Sequence, residues 1–267
     1  MYEAHFSLSG TPFGRDIPAE LMWRNDARDE LHSRLIYVAE QKYFGVFTGD
    51  AGTGKTSAIR RFAAALDNNR YQVLYISDSS LTPRNFYWET LHQLGQVPRF
   101  YRGDARRQFH QTLSSITDSE KKIPVVIVDE AHLLSREMLE EIRFLLNQRM
   151  DSLSTLALIL IGQSELRDTL KLHVNAAIMQ RVDIRYHLGT LSRDEATSYV
   201  KAHLSAVQAT REVFTDAALD LVHAFSEGIP RRINKLAVAS LMAAASRKTL
   251  LVDDHLVNMV IEREFML

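Results

Sequence analysis

Apolar positions along this chain fall into two rhythms. Short continuous apolar runs, rich in β-branched residues, recur at Phe44–Thr48 and over 73–77, 125–128, 156–161 and 182–188. Stretches with helical spacing lie between them. Runs of this length that are apolar at every position are buried on both faces, and their alternation with helices predicts a parallel sheet covered on both sides. The first part of the chain therefore reads as an α/β domain. After Leu188 the rhythm is helical throughout. Ser192 with Glu195 forms a capping box that opens a helix ending near Gln208, and Thr215 opens a second that Gly228 can stop. Pro230 suits the first turn of a third helix running to Arg247, and Asp253 or Asp254 opens a fourth. The expected division is an α/β domain over 1–188, with an irregular arm over about 1–30, and a small all-helical domain over 189–267.

Composition narrows the class without naming a partner. A chain of 267 residues, 46% hydrophobic, is long enough to bury a sizeable core. Its 32 Lys plus Arg against 33 Asp plus Glu give no global basic field, so a nucleic-acid contact would need a local patch. The absence of cysteine excludes a disulfide scaffold and a thiolate metal site. No stretch approaches the ~20 apolar residues that cross a bilayer. These features predict a cytoplasmic chain with no membrane partner.

Chemistry enters at Gly49, Asp50, Ala51, Gly52, Thr53, Gly54, Lys55 and Thr56, which match G-x-x-x-x-G-K-[ST] between a predicted strand and a predicted helix beginning at Ser57. Glycines let consecutive N–H groups curl around a β-phosphate, and the helix start adds positive dipole. Lys55 supplies a point charge for the β- and γ-phosphates and Thr56 a ligand for Mg2+. The run over 125–128 ends in Asp129 and Glu130, placed to hold the magnesium shell and to polarise water, respectively. The one Asn-Lys pair, Asn234-Lys235, is followed by Leu236-Ala237 without a guanine-reading Asp, so ATP is expected over GTP.

Together the arm with Tyr2, Phe6, Pro12 and Phe13, the loop GDAGTGKT, VVIVDEAHLL, LILIGQSEL and EGIPRRINKLA resemble the ExeA-type AAA+ ATPases. These are similar to the TnsC and TniB regulators of transposons and, more distantly, to origin-recognition initiator ATPases. The resemblance implies a P-loop core followed by a helical lid. It puts Gln163 at the sensor-1 position and Arg231, or Arg232 one residue on, at sensor 2. It puts Arg181 at the arginine-finger position, reaching a neighbouring subunit's ATP, with Arg149 and Arg185 as competitors. It also implies self-assembly into a ring or filament.

Arg99, Phe100, Tyr101, Arg102, Arg106 and Arg107 form a basic run with aromatics. Guanidinium groups so arranged can grip phosphates without sequence preference, and the transposon regulators line a DNA channel with loops in the corresponding stretch. The expectation is an ATPase that assembles on double-stranded DNA and regulates transposition, meeting a transposase and a target-selection protein. The alternative is a secretion or envelope-assembly ATPase acting on protein partners. Such relatives carry a transmembrane segment and a peptidoglycan-binding extension, which the chain to Leu267 does not contain, and transposition is preferred on that ground. A metabolic P-loop kinase ranks last. The ten histidines lack metal-ligand spacing, so no zinc site is expected, and Trp23, Trp88, Leu145, Leu146 and Met150 read as core.

Overall fold

A computed structural model describes residues 2–14, 17–18, 22–78, 80–146 and 154–265. In chain order the helices are α1 (Tyr2–His5), α2 (Asp26–Gln41), α3 (Lys55–Ala65), α4 (Pro83–Gln93), α5 (Arg102–Asp118), α6 (Arg136–Leu145), α7 (Ser164–Lys171), α8 (Ala176–Met179), α9 (Arg193–Ala206), α10 (Asp216–Ser226), α11 (Pro230–Ser246) and α12 (Asp254–Glu264). The strands are β1 (Phe44–Thr48), β2 (Tyr71–Ile76), β3 (Ile123–Val128), β4 (Ala157–Gly162) and β5 (Ile184–His187). Contacts divide the chain into two units, residues 27–51 with 55–188, and residues 1–26 with 52–54 and 189–267.

The first unit is a five-stranded parallel sheet in the order β2-β3-β4-β1-β5. The apolar runs are continuous because alternate residues serve opposite faces. Val126, Val128, Leu158 and Leu160 join one core with Phe86 and Leu91 of α4, Phe109 and Leu113 of α5, and Met138 and Ile142 of α6. Val125, Ile127, Ile159 and Ile161 join the other with Leu31, Leu35 and Val38 of α2 and Ile59 and Phe62 of α3. The expected strands are all present, with ends shifted by one or two residues. β5, at the edge, alternates between half-buried and exposed residues. Leu145 is buried and Leu146 half-buried, whereas Met150 lies outside the described residues. Trp88 departs from the core reading: it is 48% exposed, with its ring stacked on His92 of the same helix.

The second unit is helical, and its caps follow the sequence. Ser192 and Glu195 exchange both bonds of the capping box, Thr215 and Asp253 accept from the first turns of α10 and α12, and Pro230 opens α11. The described residues of 1–26, which the sequence reading groups with the α/β domain, fall in this unit with the helices after Gly189. The reason is aromatic: Tyr2, Phe6 and Phe13 are buried in one cluster with Tyr199, Leu204, Leu236 and Val257. Trp23 stands edge-on to Tyr199 and donates from Nε1 to Ser198 Oγ (3.2 Å). No described helix is long and apolar enough to cross a membrane.

His203 joins the arm to this unit. Its ring is buried, stacks on Phe13 and donates from Nδ1 to the Pro12 carbonyl (2.7 Å). Burial holds its pKa below the ordinary 6.5, partly offset by the bond to Pro12, which favours the protonated ring. A depressed native pKa means that the unfolded chain binds the proton first, so stability present above pH ~6.5 is lost as the pH falls below it. Thermal unfolding should show a larger drop in Tm from pH 7.5 to pH 5.5 for the native chain than for His203→Gln.

Candidate functional site

The site begins where β1 runs out. Thr48 leads into the glycine loop, and Lys55 starts α3, so the loop's N–H groups and the helix N-terminus are set for an anion. Lys55 Nζ donates to the carbonyls of Gly49 (2.7 Å) and Asp50 (3.0 Å), which folds the ammonium back along the loop. Asp50 Oδ1 accepts from Ser164 Oγ at the start of α7 (2.6 Å), so the loop is tied to the end of β4. Thr53 is buried, and Ser57 lies in the first turn of α3.

At the end of β3, Asp129 is a buried carboxylate with both oxygens engaged. Oδ2 accepts from Tyr75 Oη (2.7 Å) and Thr56 Oγ1 (3.3 Å), and Oδ1 accepts from the Glu130 N–H (2.8 Å). Burial and the bond to Asp129 push the Tyr75 phenol up to about 12, so it stays a donor at neutral pH. Tyr75 escapes sequence reasoning because it lies 54 positions away. The parallel register of β2 on β3 brings the two together.

Glu130 follows in the left-handed region (φ 52°), and its side chain is about half exposed. His132 Nδ1 lies 3.5 Å from its Oε2. Gln163, at the N-cap of α7, meets the same ring with its backbone N–H 3.4 Å from Nδ1 and its side-chain Nε2 3.0 Å from the ring Nε2. Thus Glu130, His132 and Gln163 form one chain of contacts. Gly162 permits it, since a Cβ there would lie 2.9 Å from the His132 backbone N. A glycine at a strand end was the available signal.

A divalent cation fits this donor set. Asp129 and Thr56 offer hard oxygen ligands side by side, and the described residues hold no group of three or more His, Cys, Asp or Glu able to hold a metal ion. Few protein oxygens, completed by phosphate and water, suit Mg2+.

In the second unit, Arg231 lies in the first turn of α11 and its N–H donates to Gly52 O (3.2 Å). A Cβ on Gly52, whose φ is +87°, would come within 2.8 Å of Arg231 Cβ. Arg232 instead pairs with Glu227 (2.7 Å). Arg181 donates from Nη1 to the Arg143 carbonyl (3.1 Å) and Arg185 from Nη2 to the Met179 carbonyl (3.1 Å). Arg149 lies outside the described residues.

The basic run on α5 changes most. Arg102 bonds Glu137 (2.6 Å) and Glu141, Arg106 lies 3.7 Å from Glu141, and Arg107 pairs with Asp104. Glu141 is 1% exposed and also accepts from Tyr87 Oη. Burial would raise its pKa, but hydrogen bonds from Tyr87 and Arg102 and the charges of Arg102 and Arg106 hold it below the ordinary value. Arg102 and Arg106 therefore brace α5 against α6, while the Arg107 pair lies within α5. What protrudes is apolar: Val97 is 86% exposed and Phe100 and Tyr101 are each 71% exposed, with Arg84 over the Phe100 ring (4.5 Å). Arg99 is exposed, and its N–H donates to Gln108 Oε1 (3.0 Å).

Residues 38–170, from α2 through the glycine loop, β3 and β4 into α7, match the family model described as AAA domain. This chain carries an AAA domain. The chain is similar to the General secretion pathway protein A of Aeromonas hydrophila, 32% identical over 254 residues, covering 92% of this chain and 45% of that protein. It thus spans less than half the length of that relative. Among solved structures, the Drosophila ORC bound to DNA matches with a TM-score of 0.73 at 17% identity, over 97% of this chain and 65% of that one. Cdc6p from Pyrobaculum aerophilum matches at 0.69 and 15%, over 90% and 67%. The RuvB Holliday junction branch migration motor of Thermotoga maritima matches at 0.59 and 16%, over 88% and 68%. At these identities the likeness is one of fold. The AAA domain implies nucleotide binding and NTPase chemistry, and the relative's name places that protein in a general secretion pathway.

Gly162→Ala in the AAA domain should press a methyl group on backbone that cannot rotate away. A loss of about 1–3 kcal/mol is expected, read as a lower urea midpoint with unchanged slope.

Proposed function

We propose that this chain binds and hydrolyses ATP with Mg2+ and applies the resulting conformational change to a protein partner, as a secretion-type ATPase. The observation that carries the reading is the meeting of the glycine loop with the end of β3: the Thr56 hydroxyl and the buried Asp129 carboxylate side by side, with Glu130 next in sequence. The N–H groups of residues 49–57 and the Lys55 ammonium would hold the triphosphate, with Thr56 and Asp129 holding the cation. Bound there, Mg2+ would neutralise charge on the β- and γ-phosphate oxygens. Glu130 would take a proton from water aligned with the γ-phosphate, and Gln163 would orient that water. Arg231 would report the γ-phosphate to α11, and Arg181 of a second copy would supply the trans charge.

Between protein and DNA as the object, the pairing of the arginines supports protein. Guanidinium groups already facing carboxylates bring little new positive charge to a phosphate backbone, and counterion release weakens accordingly. The exposed Val97, Phe100 and Tyr101 suit an apolar contact. An ATP-consuming domain of this kind belongs on the cytoplasmic side.

Lys55→Ala should abolish nucleotide binding, whereas Glu130→Gln should keep it and slow hydrolysis ~10²-fold. Equal turnover in the Glu130 variant would remove it as the base. The purified chain with a non-hydrolysable ATP analogue should leave duplex DNA unbound at physiological salt. ATP-dependent DNA binding that weakens for all sequences on reversing Arg99 and Arg107 would restore the transposition reading.

A further inference from the structure

Three residues of the AAA domain meet in a way that the hydrolysis scheme does not use. His132 Nδ1 faces two groups of opposite kind: the Glu130 carboxylate, which can only accept (3.5 Å), and the Gln163 backbone N–H, which can only donate (3.4 Å). A neutral imidazole nitrogen either carries a proton and donates or lacks one and accepts. The two contacts are therefore mutually exclusive in the neutral ring. The other nitrogen, Nε2, lies 3.0 Å from the Gln163 side-chain amide, which can turn either its NH2 or its carbonyl oxygen toward the ring.

These alternatives define two states, and in the first the Gln163 backbone N–H gives up its bond to Nδ1. With the Gln163 NH2 toward the ring, Nε2 accepts and Nδ1 carries the proton, which it offers to Glu130. With the amide oxygen toward the ring, or the amide withdrawn, Nε2 carries the proton, Nδ1 accepts from the Gln163 backbone N–H, and Glu130 is released. No proton is gained or lost by the ring between these states. We propose that His132 is a positioning residue that couples Gln163 to Glu130 through its tautomer, holding the Glu130 carboxylate back until the Gln163 side chain turns away. The proposal rests on the reading of Glu130 as the hydrolytic base.

Two features make the coupling rigid. The His132 backbone sits against Gly162, where no side chain intervenes, and its side chain is only 11% exposed. The residue after Gln163 is also bound to the glycine loop, through Ser164 Oγ on Asp50 (2.6 Å), so a change in the loop reaches Gln163 directly. The Glu130 side chain is 46% exposed, and its contact with His132 Nδ1 at 3.5 Å is one that the tautomer can strengthen or release.

The test is side-chain 15N NMR of the full chain labelled at histidine, with the His132 signals assigned by their loss in His132→Asn. In the nucleotide-free native chain the expected form is Nδ1–H. In Gln163→Leu, and separately in Glu130→Ala, the population should move to Nε2–H, because each variant removes one partner of the first state. A tautomer that is the same in all three chains, or a ring protonated at both nitrogens in all three, overturns the coupling. Kinetics supply the second arm. His132→Asn and Gln163→Leu should each change kcat ~10-fold while the affinity for a fluorescent ATP analogue stays within ~2-fold, and the double variant should be no worse than the poorer single one. Multiplying effects would mean independent roles and would overturn the coupling. A tautomer shift in a chain without hydrolysis would sink the proposed function alone, and hydrolysis with an unmoved tautomer would sink the coupling alone.

Discussion

A carboxylate buried at the end of a central strand is costly unless every lone pair direction is answered, and Asp129 is answered from three sides. The Glu130 N–H comes from the next residue, the Thr56 hydroxyl from the first turn of α3, and the Tyr75 phenol from the neighbouring strand. Each donor arrives on a different element, so the pairing fixes β2, β3 and α3 against one another at the point where a nucleotide's phosphates would lie. Parallel strands make this possible. All five carboxyl ends lie along one edge of the sheet, and loops leaving them converge there.

The sheet also explains why the site can be firm in its backbone and free in its charges. β3 and β4 are buried almost end to end between two apolar cores, which leaves no room for the strand ends to shift. Beyond those ends the polar groups take over: Lys55 on two carbonyls, Asp50 on Ser164, His132 between Glu130 and Gln163. Every one of these bonds can be exchanged for a bond to phosphate or water without unpacking a core residue. The arrangement suits a site whose hydrogen bonds must change during a cycle.

What was legible in the sequence was what is contiguous in it. The eight residues of the glycine loop, the Asp129-Glu130 pair, the Ser192-Glu195 box and the caps at Thr215 and Asp253 depend on spacings of a few residues, which the chain states directly. Tyr75 on Asp129 spans 54 positions and His132 on Gln163 spans 31, and a single sequence carries no record of such pairings. The arm was legible as apolar, with Phe6 and Phe13 plain to see, but not as a part of the helical unit. Aromatic residues declare that they will be buried without declaring against what.

The α5 arginines show the same limit with the largest consequence for function. Read along the chain, Arg99, Arg102, Arg106 and Arg107 are a cluster of like charge, since the glutamates that answer Arg102 and Arg106 lie 35 and 39 positions from Arg102. Folding brings Glu137 and Glu141 of α6 beneath them, and the buried Glu141 is held ionised by two arginines and a tyrosine. Removing those arginines would strand a buried charge, so their first duty is to the packing of α5 on α6. A surface on which Arg102, Arg106 and Arg107 already face carboxylates, and whose exposed tip is Val97, Phe100 and Tyr101 beside Arg99, offers more apolar area than unanswered charge. Binding through it would depend little on salt, the opposite of a phosphate grip.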